Sequence, residues 1–338
     1  MKEHRRLLPA LMAAFGMLAL ILDAKTGLQG AADGIQMCIH TVIPALFPFF
    51  VLSPFLTALP GGATFLRPLG KLLRLPPGCE SYLLPGVLGG YPVGARGIAQ
   101  GFPDGAIEKT DAERMLGFGS NAGPAFLFGM GAGVLPEIWM CWLVWGIHIL
   151  SALFVGLTAP GGSTAAASTV SPGKITLPEA MQQALGAMAA VCGWVVILRV
   201  VLAFLQRWAL WLFPLPMQIF LSGLLELTNG TCLLPQISCV GLRFLLFTVF
   251  LSFGGLCVLL QTRSVIRESG LSGRDYFPGK VTQAAVSTLL CAAVMPLVDD
   301  NWMPSLWVVL PAGVIVVTGL ILSAKEQNSS SFSRLGSV

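Results

Sequence analysis

SYLLPGVLGGYPVGARGIAQG, residues 81–101, sits among apolar segments yet cannot form an ordinary membrane-spanning helix. Gly86, Gly89, Gly90 and Gly94, with Pro85 and Pro92, break any regular helix, and Arg96 adds a lone charge. A second stretch, FLSGLLELTNGTCLL at 220–234, sets Glu226 and Asn229 beside a glycine. Each is followed by an apolar segment that is itself interrupted, by Gly119-Ser120-Asn121-Ala122-Gly123-Pro124 and by Ser252-Phe253-Gly254-Gly255. Non-helical backbone survives in a bilayer only where it is buried in protein or lines an aqueous cavity. Broken segments at matching places in two halves point to the binding site of a transporter.

Composition supports that setting. The 338-residue chain is 55% hydrophobic and 11% charged, against about 25% charged for soluble domains, and its mean hydropathy is +0.78. It reads as an all-α polytopic membrane protein. About eight spans are expected, at 7–22, 35–59, 112–135, 138–159, 183–205, 242–261, 281–298 and 304–323. The first is short and follows Lys2, Arg5 and Arg6, as a signal peptide would, but no small-x-small cleavage site follows it, so a retained anchor is expected.

Charge sets the topology. With the N-terminus inside, cytoplasmic segments hold Lys2, Arg5, Arg6, Arg67, Lys71, Arg74, Lys109, Lys174, Arg263, Arg267, Arg274, Lys280, Lys325 and Arg334. Outer positions hold Lys25, Arg207 and Arg243. This positive-inside bias places both termini in the cytoplasm, and it accounts for the net charge of +4 without nucleic acid as a partner. The eight cysteines form no CxxC pair and read as small hydrophobes. The three histidines have no metal-ligand spacing, and His148, inside a span, either packs or relays protons.

The order of elements suggests an internal duplication. Residues 1–34 read as an anchor helix and outer loop, 35–160 as a first repeat with its hairpin at 81–101, and 161–180 as a flexible cytoplasmic linker. Residues 181–300 read as the second repeat with its hairpin at 220–234, and 301–338 as a last helix and disordered tail. With re-entrant hairpins each repeat crosses three times, so the second is inverted relative to the first.

Half-helices leave free N–H groups and carbonyls at depth, where they attract anions and cations respectively. Tyr91, Gly94 and Arg96 are candidate solute contacts in the first hairpin. Arg96 either meets an anion or pairs with Glu113 or Asp111. Ser120 and Asn121 interrupt the next span, and Ser252, Gly254 and Gly255 mirror them in the second half. Glu226 is an intramembrane carboxylate, a functional candidate by default, which either couples to a cation or proton or pairs with Arg199 or Arg243. Thr228 and Asn229 follow it as further contacts.

These residues resemble the YlbJ-like sporulation integral membrane proteins, within the nucleoside-recognition Gate domain group. The likeness lies in Ile43-Pro44-Ala45-Leu46-Phe47-Pro48-Phe49-Phe50, in GGYPVGAR at 89–96, in Ala112-Glu113-Arg114 with Asn121-Ala122-Gly123-Pro124, and in SGLLELTNG at 222–230. It continues in Phe253-Gly254-Gly255-Leu256 and Gln261. Cys257 and Leu259 depart from it, standing where the family looks more polar. The resemblance implies two re-entrant hairpins in an inverted repeat, similar to concentrative nucleoside transporters. It also implies movement of dipicolinate, an aromatic dicarboxylate, towards the forespore, and makes the forespore outer membrane a candidate location.

The expectation is a membrane transporter of a small anionic or aromatic solute, with dipicolinate foremost. A nucleoside or other metabolite carrier of the same fold and a non-transporting sporulation scaffold are the alternatives. Partners are the solute and the lipid bilayer, and a homo-oligomer is left open. Without HExxH, GxSxG, P-loop or a hydrolytic carboxylate cluster, the chain does not read as an enzyme. No cofactor is expected.

Overall fold

The computed structural model describes residues 4–57, 64–161 and 175–335, and every regular element among them is helical. The chain begins with α1 (His4–Leu22), α2 (Ala24–Met37) and α3 (Ile43–Thr57). Three short helices follow, α4 (Arg67–Leu72), α5 (Leu84–Leu88) and α6 (Val93–Gly101). Next come α7 (Lys109–Leu116) and α8 (Pro124–Val134), on either side of a non-helical stretch, and then α9 (Ile138–Thr158). The second half has the long α10 (Leu177–Trp208), then α11 (Leu215–Leu225) and α12 (Leu227–Leu233). It closes with α13 (Val240–Phe253), α14 (Gly255–Ile266), α15 (Tyr276–Val298) and α16 (Leu306–Leu335).

Six helical stretches are long and apolar enough to cross a bilayer: Ala24–Thr57, Ile138–Thr158, Leu177–Trp208, Val240–Ser269, Tyr276–Val298 and Leu306–Ala324. The expected span at 7–22 supplies only the shorter apolar helix Leu8–Leu22. The one at 112–135 is divided between α7 and α8, because Gly117, Gly119 and Gly123 with Pro124 give no stable turn across the gap.

Four other expectations change. Residues 24–37 are helix, not outer loop. Gly27, Gly30 and Gly34 form a small-residue stripe on which α10 lies flush, and a Cβ on Gly30 or Gly34 would stand 3.0 Å and 2.9 Å from the Cα of Val200 and Val196. Asp23 starts that helix, its Oδ1 accepting from the Thr26 N–H at 3.3 Å.

Within the expected linker, Thr176 opens α10 with a capping box, its N–H and hydroxyl each 2.8 Å from Glu179 Oε2. Residues 162–174 of that linker lie outside the described ones. The expected tail is helical to Leu335, since no Gly or Pro intervenes after Gly319 to stop it. Finally, Lys280, placed just before the span expected at 281–298, belongs to α15, because that helix starts at Tyr276.

Burial ranks the helices. The most apolar window of Val240–Ser269 is 72% buried, against 17% for Leu306–Ala324, so α13 and α14 are central and α16 is peripheral. Leu8, Leu11, Met12 and Phe15 of α1 and Trp307 and Leu310 of α16 are exposed. Such continuous apolar surface suits acyl chains rather than water. The central core packs Phe244, Phe247, Phe250 and Leu251 of α13 against Leu127, Val144, Ile147 and Cys291.

Candidate functional site

Both broken segments form hairpins of short helices whose arms cross at paired glycines. In the first, Gly86 of α5 meets Gly94 of α6, and both abut the Gly119 carbonyl, 2.7 Å from where a Gly94 Cβ would lie. In the second, Gly223 of α11 meets Gly230 of α12, with the Gly223 nitrogen 2.6 Å from a Gly230 Cβ and the Phe250 ring against Gly223. Only a residue without a side chain permits backbones this close. The glycines of the first hairpin therefore press against the non-helical stretch between α7 and α8, and Gly223 and Gly230 of the second against α13.

The two interruptions seat the hairpin tips. Gly90 takes φ +86°, and a Cβ there would meet the Gly123 nitrogen at 2.6 Å. Gly254 and Gly255 both take left-handed φ, +81° and +77°, and part α13 from α14. A Cβ on Gly255 would lie 3.0 Å from the Gly223 carbonyl. The halves also exchange partners, since α6 packs on α14 and α12 on α8.

A cavity of about 40 Å³, room for roughly three waters, opens between the tips. Gly90 and Tyr91 of the first hairpin, Glu226, Leu227 and Thr228 of the second, Ala122 and Gly123 of the first interruption and Phe126 of α8 line it. Gln261 and Val258 of α14, Val191 and Val195 of α10, and Val42, Ala45 and Leu46 around the start of α3 complete the wall. Glu226 is extended and caps α12, accepting the N–H groups of Thr228 at 3.0 Å and Asn229 at 2.6 Å.

The expected site residues divide three ways. Tyr91, Glu226 and Thr228 reach the cavity wall. Gly94, Gly254 and Gly255 shape the backbone around it. Arg96, Ser120, Asn121, Asn229 and Ser252 are buried, but none lines the cavity.

Arg96 pairs with neither Glu113 nor Asp111. Its Nη2 donates to Gln183 Oε1 of α10 at 3.0 Å, and its guanidinium lies 5.5 Å from the centre of the Phe50 ring. Glu113 is occupied at 2.5 Å and 2.9 Å by the N–H groups of Ser272 and Gly273, which the turn before α15 presents to it. Nor do Arg199 and Arg243 bond Glu226. Arg199 bridges Asn229 Oδ1 at 2.7 Å and Asp33 Oδ2 at 2.9 Å, and Arg243 donates to the Val134 carbonyl at 3.0 Å. A carboxylate that already accepts two N–H groups of its own helix start has less need of an arginine and keeps lone pairs free to accept more.

Behind the cavity wall lies a polar cluster that residue-by-residue reading misses. His148 Nε2 accepts the Ala122 N–H at 2.9 Å, which leaves the ring proton on Nδ1, 3.3 Å from Ser252 Oγ. Ser252 meets Ser287 at 2.7 Å, Ser287 donates to Ser151 at 2.8 Å, and Ser151 returns to the His148 carbonyl at 2.9 Å. His148 thus closes a ring of hydroxyls that ties both interruptions to α9 and α15. Beside it Gln283 Nε2 donates to Asn121 Oδ1 at 3.0 Å, and Lys280 donates to the Ser120 carbonyl. The signal for it is Lys280 and Gln283 at i, i+3 on one helix face, together with the single serines Ser151 and Ser287 inside the apolar α9 and α15.

No protein-family profile matches this chain, and no solved structure matches it. Among curated proteins it is similar to the sporulation integral membrane protein YlbJ of Bacillus subtilis (strain 168). The two are 27% identical over an alignment 336 positions long that covers 84% of this chain and 82% of that protein. The match agrees with the resemblance to the YlbJ-like proteins.

Proposed function

We propose that this chain, a YlbJ-like sporulation integral membrane protein, carries a small planar solute across a membrane by alternating access around the central cavity. The observation that supports this best is convergence: both hairpin tips and α14 meet at one cavity, whose wall runs on through Ala122 and Gly123 of the first interruption. In the conformation described here the cavity is too small for a ring-bearing solute, which is larger than a few waters. Admission of such a solute therefore requires a hairpin to withdraw.

Opposite entry of the hairpins has its own support. The first is tied to α10 at Gln183 and the second at Arg199, about 24 Å apart along a helix that rises 1.5 Å per residue. Val191 and Val195, between those ties, face the cavity. On this reading the hairpins are re-entrant, come from opposite faces and meet near the middle of α10. With both termini cytoplasmic, the first enters from the cytoplasm.

Dipicolinate is the cargo that the resemblance implies. Tyr91 and Phe126 offer aromatic surface to a planar ring, and Thr228 and Gln261 offer polar contacts. The wall carries Glu226 and no Lys or Arg. A dicarboxylate would thus move with its charge balanced by protons or cations rather than against a resident arginine. The same wall favours a second reading, a neutral nucleoside whose hydroxyls donate to Glu226.

Uptake of labelled dipicolinate into vesicles reconstituted with the protein tests the first reading. Saturable uptake, unaffected by excess nucleoside and reduced at least tenfold by Glu226→Gln, is expected. Uptake of nucleoside with dipicolinate inert would favour the second reading. Movement and binding of neither would leave the scaffold reading.

A further inference from the structure

Lys280 lies about 6 Å along α15 from its start, and its side chain is 1% exposed. Its Nζ has three hydrogen-bond acceptors: the Ser120 carbonyl, Gln283 Oε1 at 2.7 Å and Asn121 Oδ1 at 3.4 Å. The Tyr276 ring stands 5.8 Å away. All three acceptors are neutral, and among the described residues no carboxylate forms an ion pair with this lysine.

The ionisable groups on the elements packed against α15 are occupied elsewhere or distant. His148 of α9 holds the Ala122 N–H and Ser252. On α7, Glu113 caps the turn at Ser272 and Gly273, Arg114 binds the carbonyls of Leu73 and Gly156, and Asp111 lies buried near Cys79. From α13 come Thr248 and Ser252, with Arg243 at the helix start bonded to Val134. Along Leu306–Ala324, α16 has no ionisable side chain.

A buried ammonium served only by neutral dipoles is costly. Either an anion or loss of the proton relieves it. Ala122 and Gly123 face the cavity while Ser120 and Asn121 hold Lys280, so a solute in the cavity does not touch Nζ.

We propose that Lys280 is a proton-binding site that latches the 119–123 interruption against α15. Three N–H donors match three acceptors only while the amine is protonated. When an N–H bond breaks, its electron pair stays on nitrogen and the proton passes to water on the side where α15 begins. The neutral amine keeps two donors and turns a lone pair towards an acceptor, which frees the interruption and the Gly90 tip resting on Gly123. Rebinding a proton restores the latch. The role of the latch in solute coupling rests on the transporter reading, whereas the proton site does not.

Hydrogen–deuterium exchange on the full chain in nanodiscs, corrected for intrinsic rates and followed from pH 6 to 10, needs no solute. Protection of amides 119–123 should fall at least tenfold as pH rises, while that of α10 holds. In Lys280→Arg it should stay high throughout, because a guanidinium keeps its charge, and in Lys280→Met it should be low throughout. Wild-type protection of 119–123 that is flat across this range overturns the proposal, whether or not Lys280→Met folds. In vesicles, a pH gradient should drive solute uptake by wild type but not by Lys280→Met, and indifference to the gradient overturns the coupling. Absence of any wild-type uptake counts against the transporter reading, and the exchange measurement then decides the proton site alone.

Discussion

A methyl group on Gly86 would be driven into the Gly119 carbonyl, and one on Gly223 would stand 2.5 Å from carbons of the Phe250 ring. Neither neighbour can yield, since one is backbone and the other is a fully buried aromatic. Gly86→Ala and Gly223→Ala should each abolish the monodisperse folded peak in detergent. By contrast, Gly129 and Gly146 lie in helices with nothing within 4 Å of an added Cβ. Alanine there should raise the melting temperature, by about 0.5–1 kcal/mol of helix propensity. Melts of the four variants side by side check both outcomes. Glycine richness was legible in the sequence, but the division into crossing points and open helix faces was not, because it depends on what lies opposite each Cα.

At the scale of elements, α10 acts as a post to which both hairpins are tied, and the two ties differ in kind. Arg199 joins two other elements through Asp33 and Asn229, with side-chain exposures of 16% for Arg199 and 36% for Asp33. Arg96 meets Gln183, a neutral residue at the exposed surface of α10. Removing Arg199 strands a partly buried carboxylate, so Arg199→Ala should cost about 1–3 kcal/mol, below the 3–5 typical of fully buried pairs. Arg96→Ala should cost less than Arg199→Ala. Asp33→Asn combined with Arg199→Ala should destabilise by less than the sum of the single changes, as a thermal-melt double-mutant cycle would measure.

For the molecule as a whole, the testable quantity is topology. Lys and Arg cluster on one side of the expected spans, and that bias orients membrane proteins. In a Cys232→Ser background, Asn301→Cys in the turn between α15 and α16 should react with an impermeant maleimide on intact cells. Arg274→Cys, at a position now 74% exposed, should react only after permeabilisation. The reverse labelling would invert the hairpin assignment, and with it the side to which Lys280 releases its proton.

Composition and the positions of Gly and Pro were enough to read an all-helical, many-span membrane protein with two helix-breaking segments and two interruptions, because those properties belong to the chain locally. Contacts between distant segments decided the rest. Glycines at 27, 30 and 34 resembled a loop until α10 was seen to cover them. Arg96 read as either an anion contact or a partner of Glu113 or Asp111, and only packing supplied its bond to Gln183 of α10; Lys280 read as lying before the span at 281–298, and the structure starts α15 at Tyr276. Which carboxylate faces a cavity and which cation meets only neutral acceptors depend on how helices pack, and no single segment carries that information.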